Sequence, residues 1–69
     1  MPYVNIRITR EQQPLTAEQK AALIKGVTDL LVKVINRGPK STVVIIDEID
    51  TDNYGLGGET ITVIRRQGQ

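Results

Sequence analysis

Few side chains in this sequence can do acid–base or covalent chemistry. There is no histidine and no cysteine, which removes the Ser-His-Asp and Cys-His forms of nucleophilic catalysis and the usual zinc ligand sets. The single serine, Ser41, reads as a turn residue ahead of an apolar run. Asp47, Glu48, Asp50 and Glu59 invite a carboxylate-pair reading, yet nothing in their spacing singles out two of them. A calcium loop opening at Asp50 would put Tyr54 at a ligand position and Ile61 where a bidentate glutamate is required, so that stretch reads as a solvated loop with caps and turns. Gly55, Gly57 and Gly58 do not have the spacing of a phosphate-binding loop, and no helix is expected behind them to offer its N-terminus.

What remains is Pro2. If Met1 is removed, Pro2 becomes a secondary amine fixed at the head of a strand. An α-amine has a reference pKa of about 7.7–8.0, and an apolar pocket lowers it by disfavouring the charged form. A neutral amine near pH 7 is a competent general base, suited to taking a proton from beside a carbonyl and returning it elsewhere. If Met1 stays, the nitrogen is a tertiary amide and no base at all. The structural alternative is a proline at the first residue of an edge strand, where the missing N–H does little harm.

The elements that must position these groups follow from the pattern. Val4, Ile6 and Ile8 alternate with Tyr3, Asn5, Arg7 and Thr9, the period of a strand with one apolar face. Pro14 interrupts the polar connection after it. Thr16-Ala17-Glu18-Gln19 has the form of a capping box, and Leu23, Val27, Leu30, Leu31 and Val34 then recur at helical spacing, flanked by Ile24 and Ile35. Gly26, costly in a helix by about 1 kcal/mol against alanine, suggests close packing there. Gly38 and Pro39 close a helix of about twenty residues, Gly38 as the left-handed cap. Val43-Val44-Ile45-Ile46 reads as a strand buried on both faces, Asp47 to Asn53 as an acidic loop, and Tyr54 to Glu59 as a tight glycine hairpin. Thr60 to Ile64 reads as a short final strand, with Arg65 to Gln69 frayed or lying along a partner. The expectation is one α/β domain over 1–69: a β-α-β unit with parallel strands, a short C-terminal hairpin, and a sheet completed by a second subunit.

Composition supports assembly. Apolar residues make up 39% of the chain, only two of them aromatic, and so short a chain has no disulfide or zinc to staple it. A net charge of +1 without a clustered basic stripe argues against nucleic acid. No apolar run approaches the ~20 residues of a membrane span, and no signal peptide is visible. The reading is a cytoplasmic protein that does not bind membranes.

Pro2 opening the first strand, Thr16-Ala-Glu-Gln-Lys20 opening the helix, Val44-Ile-Ile-Asp-Glu48, and Asn53-Tyr-Gly-Leu-Gly-Gly-Glu59 followed by Arg65-Arg66 together resemble the 4-oxalocrotonate tautomerase family. The resemblance covers nearly the whole chain in order, and the glycine hairpin combined with Pro2 is its most specific part. It implies a cofactor-free isomerase whose processed N-terminal proline is the general base in enol–keto isomerisation of a 2-oxo acid. It implies homodimers sharing a four-stranded sheet, assembled to a homohexamer. Tyr54 stands at the family's pocket aromatic, where it either walls the pocket or packs in an interface, and Leu56 follows it as a further substrate-facing position. Two family arginines that hold substrate carboxylates are missing. One corresponds to Leu15 counted back from the helix, or to Gln12 counted forward from Pro2 across a loop about three residues longer. The other is replaced by Val43. Bidentate carboxylate pairing supplies both energy and orientation, so the family's usual dicarboxylate is not the expected substrate. A substrate with one carboxylate or with bulkier, less charged groups fits better. Arg10 could swing in as a substitute, whereas Arg7 reads as a solvent-facing or interface residue. The alternatives are a hydratase, dehalogenase or decarboxylase using protonated Pro2 as an acid, and a non-catalytic oligomeric module of the same fold.

Overall fold

The computed structural model describes residues 1–68. Strand β1 (Tyr3–Thr9) leads through a polar loop to helix α1 (Ala17–Ile35), which returns the chain past a single 3-10 turn at Pro39–Ser41 to strand β2 (Val43–Ile49). A second 3-10 turn, Thr51–Asn53, precedes the two-residue strands β3 (Gly55–Leu56) and β4 (Glu59–Thr60), and the chain closes with helix α2 (Ile61–Gln67). Strands β1 and β2 are parallel, from Tyr3 opposite Val43 to Thr9 opposite Ile49. The β-α-β order and the C-terminal hairpin therefore stand as the pattern of apolar residues predicts.

Parallel pairing assigns a face to every strand residue. Val4, Ile6 and Ile8 on β1 share a face with their partners Val44, Ile46 and Glu48, and alternate along the strand with the exposed Tyr3, Asn5 and Arg7. Helix α1 begins where expected: the Thr16 hydroxyl accepts from the Gln19 N–H and the Gln19 side chain accepts from the Thr16 N–H, each at 3.0 Å. These bonds satisfy two of the donors that every helix start leaves orphaned. Leu23, Val27 and Leu31 are half-covered, whereas Leu30 and Val34, one turn apart, are exposed. The hairpin turns on Gly57 and Gly58, both at positive φ (63° and 91°), as a two-residue turn of matching twist requires.

Four local expectations are corrected. The left-handed cap of α1 is Asn36, at φ 55° and ψ 41°, while Gly38 lies two residues on in extended backbone. Asparagine tolerates that conformation because its short polar side chain bonds locally. A side chain at Gly26 would meet nothing within 4 Å, so within one chain no close neighbour explains the glycine. Asp47, Glu48 and Ile49 belong to β2 and not to an acidic loop, and no residue of β2 is fully buried. Finally, β4 ends at Thr60 and the β-branched residues after it are helical: the Thr60 hydroxyl accepts from the Val63 N–H at 3.2 Å. With no third strand of this chain beside it, that segment satisfies its backbone internally. Arg65 and Arg66 in its last turn suit the negative end of the helix dipole. The end expected to be frayed or to lie along a partner is helical to Gln67, and Gln69 lies outside the described residues.

The subunit is thin and open. It measures 46 × 25 × 15 Å with a radius of gyration of 15.7 Å, against about 11 Å for a self-contained domain of this length. It exposes 5525 Å², against about 4,300 Å² for a folded chain of its mass. Among the described residues none is buried, and Tyr3, Leu30, Val34, Ile35 and Leu56 stand largely in solvent.

Candidate active site

Pro2 sits at the head of β1, where its carbonyl accepts the Val43 N–H at 2.9 Å. That bond fixes the residue against the start of β2, where Val43 pairs with Tyr3. Tyr54 lies at the other end of the sheet. Its hydroxyl shares a 2.7 Å hydrogen bond with the Thr9 hydroxyl, and it lines a cavity of about 380 Å³ with Arg7, Ile8, Thr9, Ile49 and Asn53. Seven residue steps separate Pro2 from Thr9, roughly 23 Å of strand. One subunit therefore does not bring the proline and the tyrosine together.

Arg10 continues β1, its N–H donating to the Ile49 carbonyl at 2.8 Å. It lines a separate polar groove of about 470 Å³ with Glu11, Gln12, Thr51, Thr62, Arg65 and Arg66. Across that groove Arg65 makes a two-pronged pair with Glu11, at 2.9 and 3.2 Å. The hydrogen bond from Arg65 holds the Glu11 carboxyl below the ordinary carboxylate range. Arg65 in turn is raised, first by its hydrogen bond with Glu11 and then by that carboxylate's charge. The floor is tied down by the Thr62 hydroxyl, which bonds Thr51 and Asp52. Arg7 lies on the exposed sheet face, 3.8 Å from Asp47. Leu56 is 72% exposed at the hairpin and lines neither cavity. Gly55, between it and Tyr54, has no alternative: a Cβ there would stand 2.5 Å from the Glu59 carbonyl oxygen.

Leu15 takes part in something the sequence did not announce. Its N–H donates to the Glu48 carboxylate at 3.0 Å, and Lys20 reaches the same carboxylate at 3.2 Å. Only 6% of the Glu48 side chain is exposed. The Leu15 N–H is the main reason its carboxyl lies below the usual range; desolvation opposes this, and Lys20 and, more weakly, Arg10 add to it. The Leu15 side chain lines an apolar cleft with Gln19, Ala22 and Leu23, away from Tyr54. An acidic residue closing an apolar strand was the available signal, and alternation from Val44 and Ile46 would have pointed Glu48 at the helix.

Comparison with known proteins decides the family. The sequence model described as tautomerase enzyme matches residues 2–64. A probable tautomerase of Dickeya dadantii is 58% identical over 97% of both chains.

The chain belongs to the tautomerase family.

The crystal structure of DmpI from Helicobacter pylori superposes with a TM-score of 0.81 at 52% identity, over 94% of this chain and 97% of that one. YwhB, described as a homologue of 4-oxalocrotonate tautomerase, follows at a TM-score of 0.71 and 30% identity, over 88% and 95%. This tautomerase-family chain thus belongs to an isomerase family and has the β-α-β fold of its structural neighbours. No described helix is long and apolar enough to cross a membrane.

Proposed function

We propose that this chain, once Met1 is removed, is a tautomerase in which the Pro2 amine is the general base for enol–keto isomerisation of a 2-oxo acid or related unsaturated acid. The observation that carries the reading is the placement of Pro2: directly behind Met1 at the head of a strand, tied down through its carbonyl to Val43. An amine so placed keeps a neutral fraction near pH 7 and a fixed direction.

The site is completed between subunits. Pro2 O and Arg10 N both bond to β2, so the even residues of β1 face β2 and the N–H and C=O groups of Tyr3, Asn5, Arg7 and Thr9 point to the open edge. An antiparallel two-fold pairing along that edge gives a four-stranded sheet and lays Pro2 of one subunit beside the Thr9–Tyr54 end of its partner. The excess exposed surface, the bare helix positions Leu30 and Val34 and the hairpin Leu56 favour further association of such dimers, to a homohexamer. With Leu15 and Val43 at the family's arginine positions, a substrate with one carboxylate is favoured over a dicarboxylate. A cytoplasmic setting suits this chemistry.

The test is turnover of a panel of enolpyruvates and unsaturated acids by the processed protein and by Pro2→Ala, with intact mass reporting the N-terminus. A loss of about 10²-fold or more in kcat/KM is expected, with activity rising as pH passes upward through the amine pKa. Activity that instead falls over that range assigns Pro2 an acid role in hydration, dehalogenation or decarboxylation. No Pro2-dependent turnover across the panel leaves a non-catalytic oligomer and ends the reading.

A further inference from the structure

The Tyr54 cavity holds a hydroxyl pair to which the proline chemistry assigns no part. Thr9, closing β1, and Tyr54, just ahead of the hairpin, both line it. Their hydroxyl oxygens lie 2.7 Å apart, and either can donate. Among the described residues neither hydroxyl bonds any other group. The pair has two hydroxyl hydrogens and its own bond uses one, so the other is left to be donated to a molecule in the cavity. The phenol is also held from three sides. The Tyr54 carbonyl accepts the Ile61 N–H at 3.0 Å, Gly55 beside it pairs with Thr60 without room for a side chain, and Thr9 ties the hydroxyl to a strand residue opposite Ile49. Tyr54 is still 37% exposed, so it is fixed without being sealed off.

Taking a proton from beside a carbonyl moves negative charge onto the carbonyl oxygen, and that charge needs a donor already in place. We propose that the Tyr54 hydroxyl is this donor and that Thr9 aligns it, donating to Tyr54 Oη so that the phenol hydrogen faces the substrate oxygen. A phenol is more acidic than an aliphatic alcohol, so it makes the stronger bond to an anion, and the bond received from Thr9 polarises it further. No proton changes hands at Tyr54. The electron pair of the broken C–H bond becomes the enolate, Pro2 carries the proton and returns it, and the phenol only shares its hydrogen. Tyr54 therefore touches the substrate, whereas Thr9 is a positioning residue. The assignment rests on the proposed isomerisation for its purpose, but the donor is testable by binding apart from turnover.

The experiment compares the processed parent with Tyr54→Phe, which keeps the ring, Thr9→Val, which keeps the branched shape, and Thr9→Ser, which keeps the hydroxyl. Circular dichroism and intact mass confirm the fold and the N-terminus. On an enolpyruvate that the parent turns over, Tyr54→Phe is expected to lower kcat about 10²-fold with little change in KM. Thr9→Val should lower it about tenfold and Thr9→Ser should stay close to the parent, with the Pro2 limb of the pH profile unmoved in all three. Calorimetric titration with oxalate, a planar anion resembling an enolate, should show Tyr54→Phe weakened about tenfold, and less so with the ketone 2-oxobutanoate. A Tyr54→Phe protein with the parent's kcat overturns the donor and passes the role to Arg7 or Asn53, which line the same cavity. Thr9→Ser impaired as much as Thr9→Val overturns the alignment, since packing and not the hydroxyl then matters. If the parent shows no Pro2-dependent turnover, the isomerase reading ends and oxalate decides: weaker binding in Tyr54→Phe keeps the donor, and equal binding removes it.

Discussion

The two ends of β1 differ in kind. At its head, Pro2 has one backbone bond, to Val43, which pairs with Tyr3. At its foot lie Tyr54 bonded to Thr9, Glu11 paired with Arg65, Arg10 bonded to Ile49, and the Thr62–Asp52 tie. An end with few polar contacts suits a group whose proton must be easy to lose, and a polar end rich in donors suits recognition of an anion. A strand of seven residues keeps the two some 20 Å apart. On the proposed function, in which both ends serve one site, a second copy of the chain must bring one end beside the other.

The sharpest way to break that comparison is complementation. Pro2→Ala and Tyr54→Ala should each be nearly inactive alone. If each site takes its proline from one subunit and its tyrosine from the partner, unfolding and reassembling an equal mixture restores about a quarter of parent activity. Half of randomly formed dimers are then mixed, and each of those holds one intact site of its two. Restoration measured as kcat per site supports the shared site. A mixture no more active than its components would place both groups in one subunit and contradict the antiparallel pairing.

A smaller effect is expected from the turn that aims Tyr54. Gly55→Ala pushes a methyl to 2.5 Å from the Glu59 carbonyl oxygen, so the β3–β4 pair must open or shift. Overpacking of this sort costs about 1–3 kcal/mol, to be read as a lower denaturation midpoint together with a raised KM for any substrate that uses the Tyr54 wall. The same substitution at Gly26, where nothing lies within 4 Å, should instead be tolerated or stabilising in a lone subunit by about 0.5–1 kcal/mol. If Gly26→Ala proves destabilising, its close neighbour belongs to another subunit.

The residues that proved legible are those whose conformation is decided locally. Thr16 and Gln19 announce a capping box and form one; the glycine-rich stretch from Tyr54 to Glu59 announces a tight hairpin and makes one, with the turn falling at Gly57 and Gly58; the alternation from Val4 to Ile8 sets the face of β1. The misreadings fall where tertiary context decides. Ile61, Thr62, Val63 and Ile64 have strand propensity, but a strand needs a neighbour and this chain provides none, so the Thr60 cap tips the segment to a helix. Glu48 looked like part of a loop because acidic residues seldom close a buried strand; the Leu15 N–H and Lys20 make its position tenable. The separation of Pro2 from Tyr54 was hidden because both belong to one motif set in the chain, and a motif has no geometry until the strand between its parts is laid out.

Glu48 supplies the smallest effect and distinguishes a structural carboxylate from the functional ends. Its carboxyl lies below the ordinary value of 4.5, chiefly through the Leu15 N–H. A carboxylate whose folded-state pKa is depressed adds stability that is complete above its unfolded value and is lost as pH falls through the lower folded value. Glu48→Gln should therefore flatten the acid limb of stability below about pH 4.5, where the parent steepens. At neutral pH it should lower the denaturation midpoint modestly, since the amide keeps an acceptor for Leu15 but loses the charge that faces Lys20. Glu11 is depressed as well, by Arg65, but it is half-exposed and salt screens such a pair. Glu11→Gln should thus change the acid limb less, and that remaining difference should shrink in high salt. An acid limb that responds to Glu11→Gln and ignores Glu48→Gln would mean that the loop is held from the α2 side and not from β2.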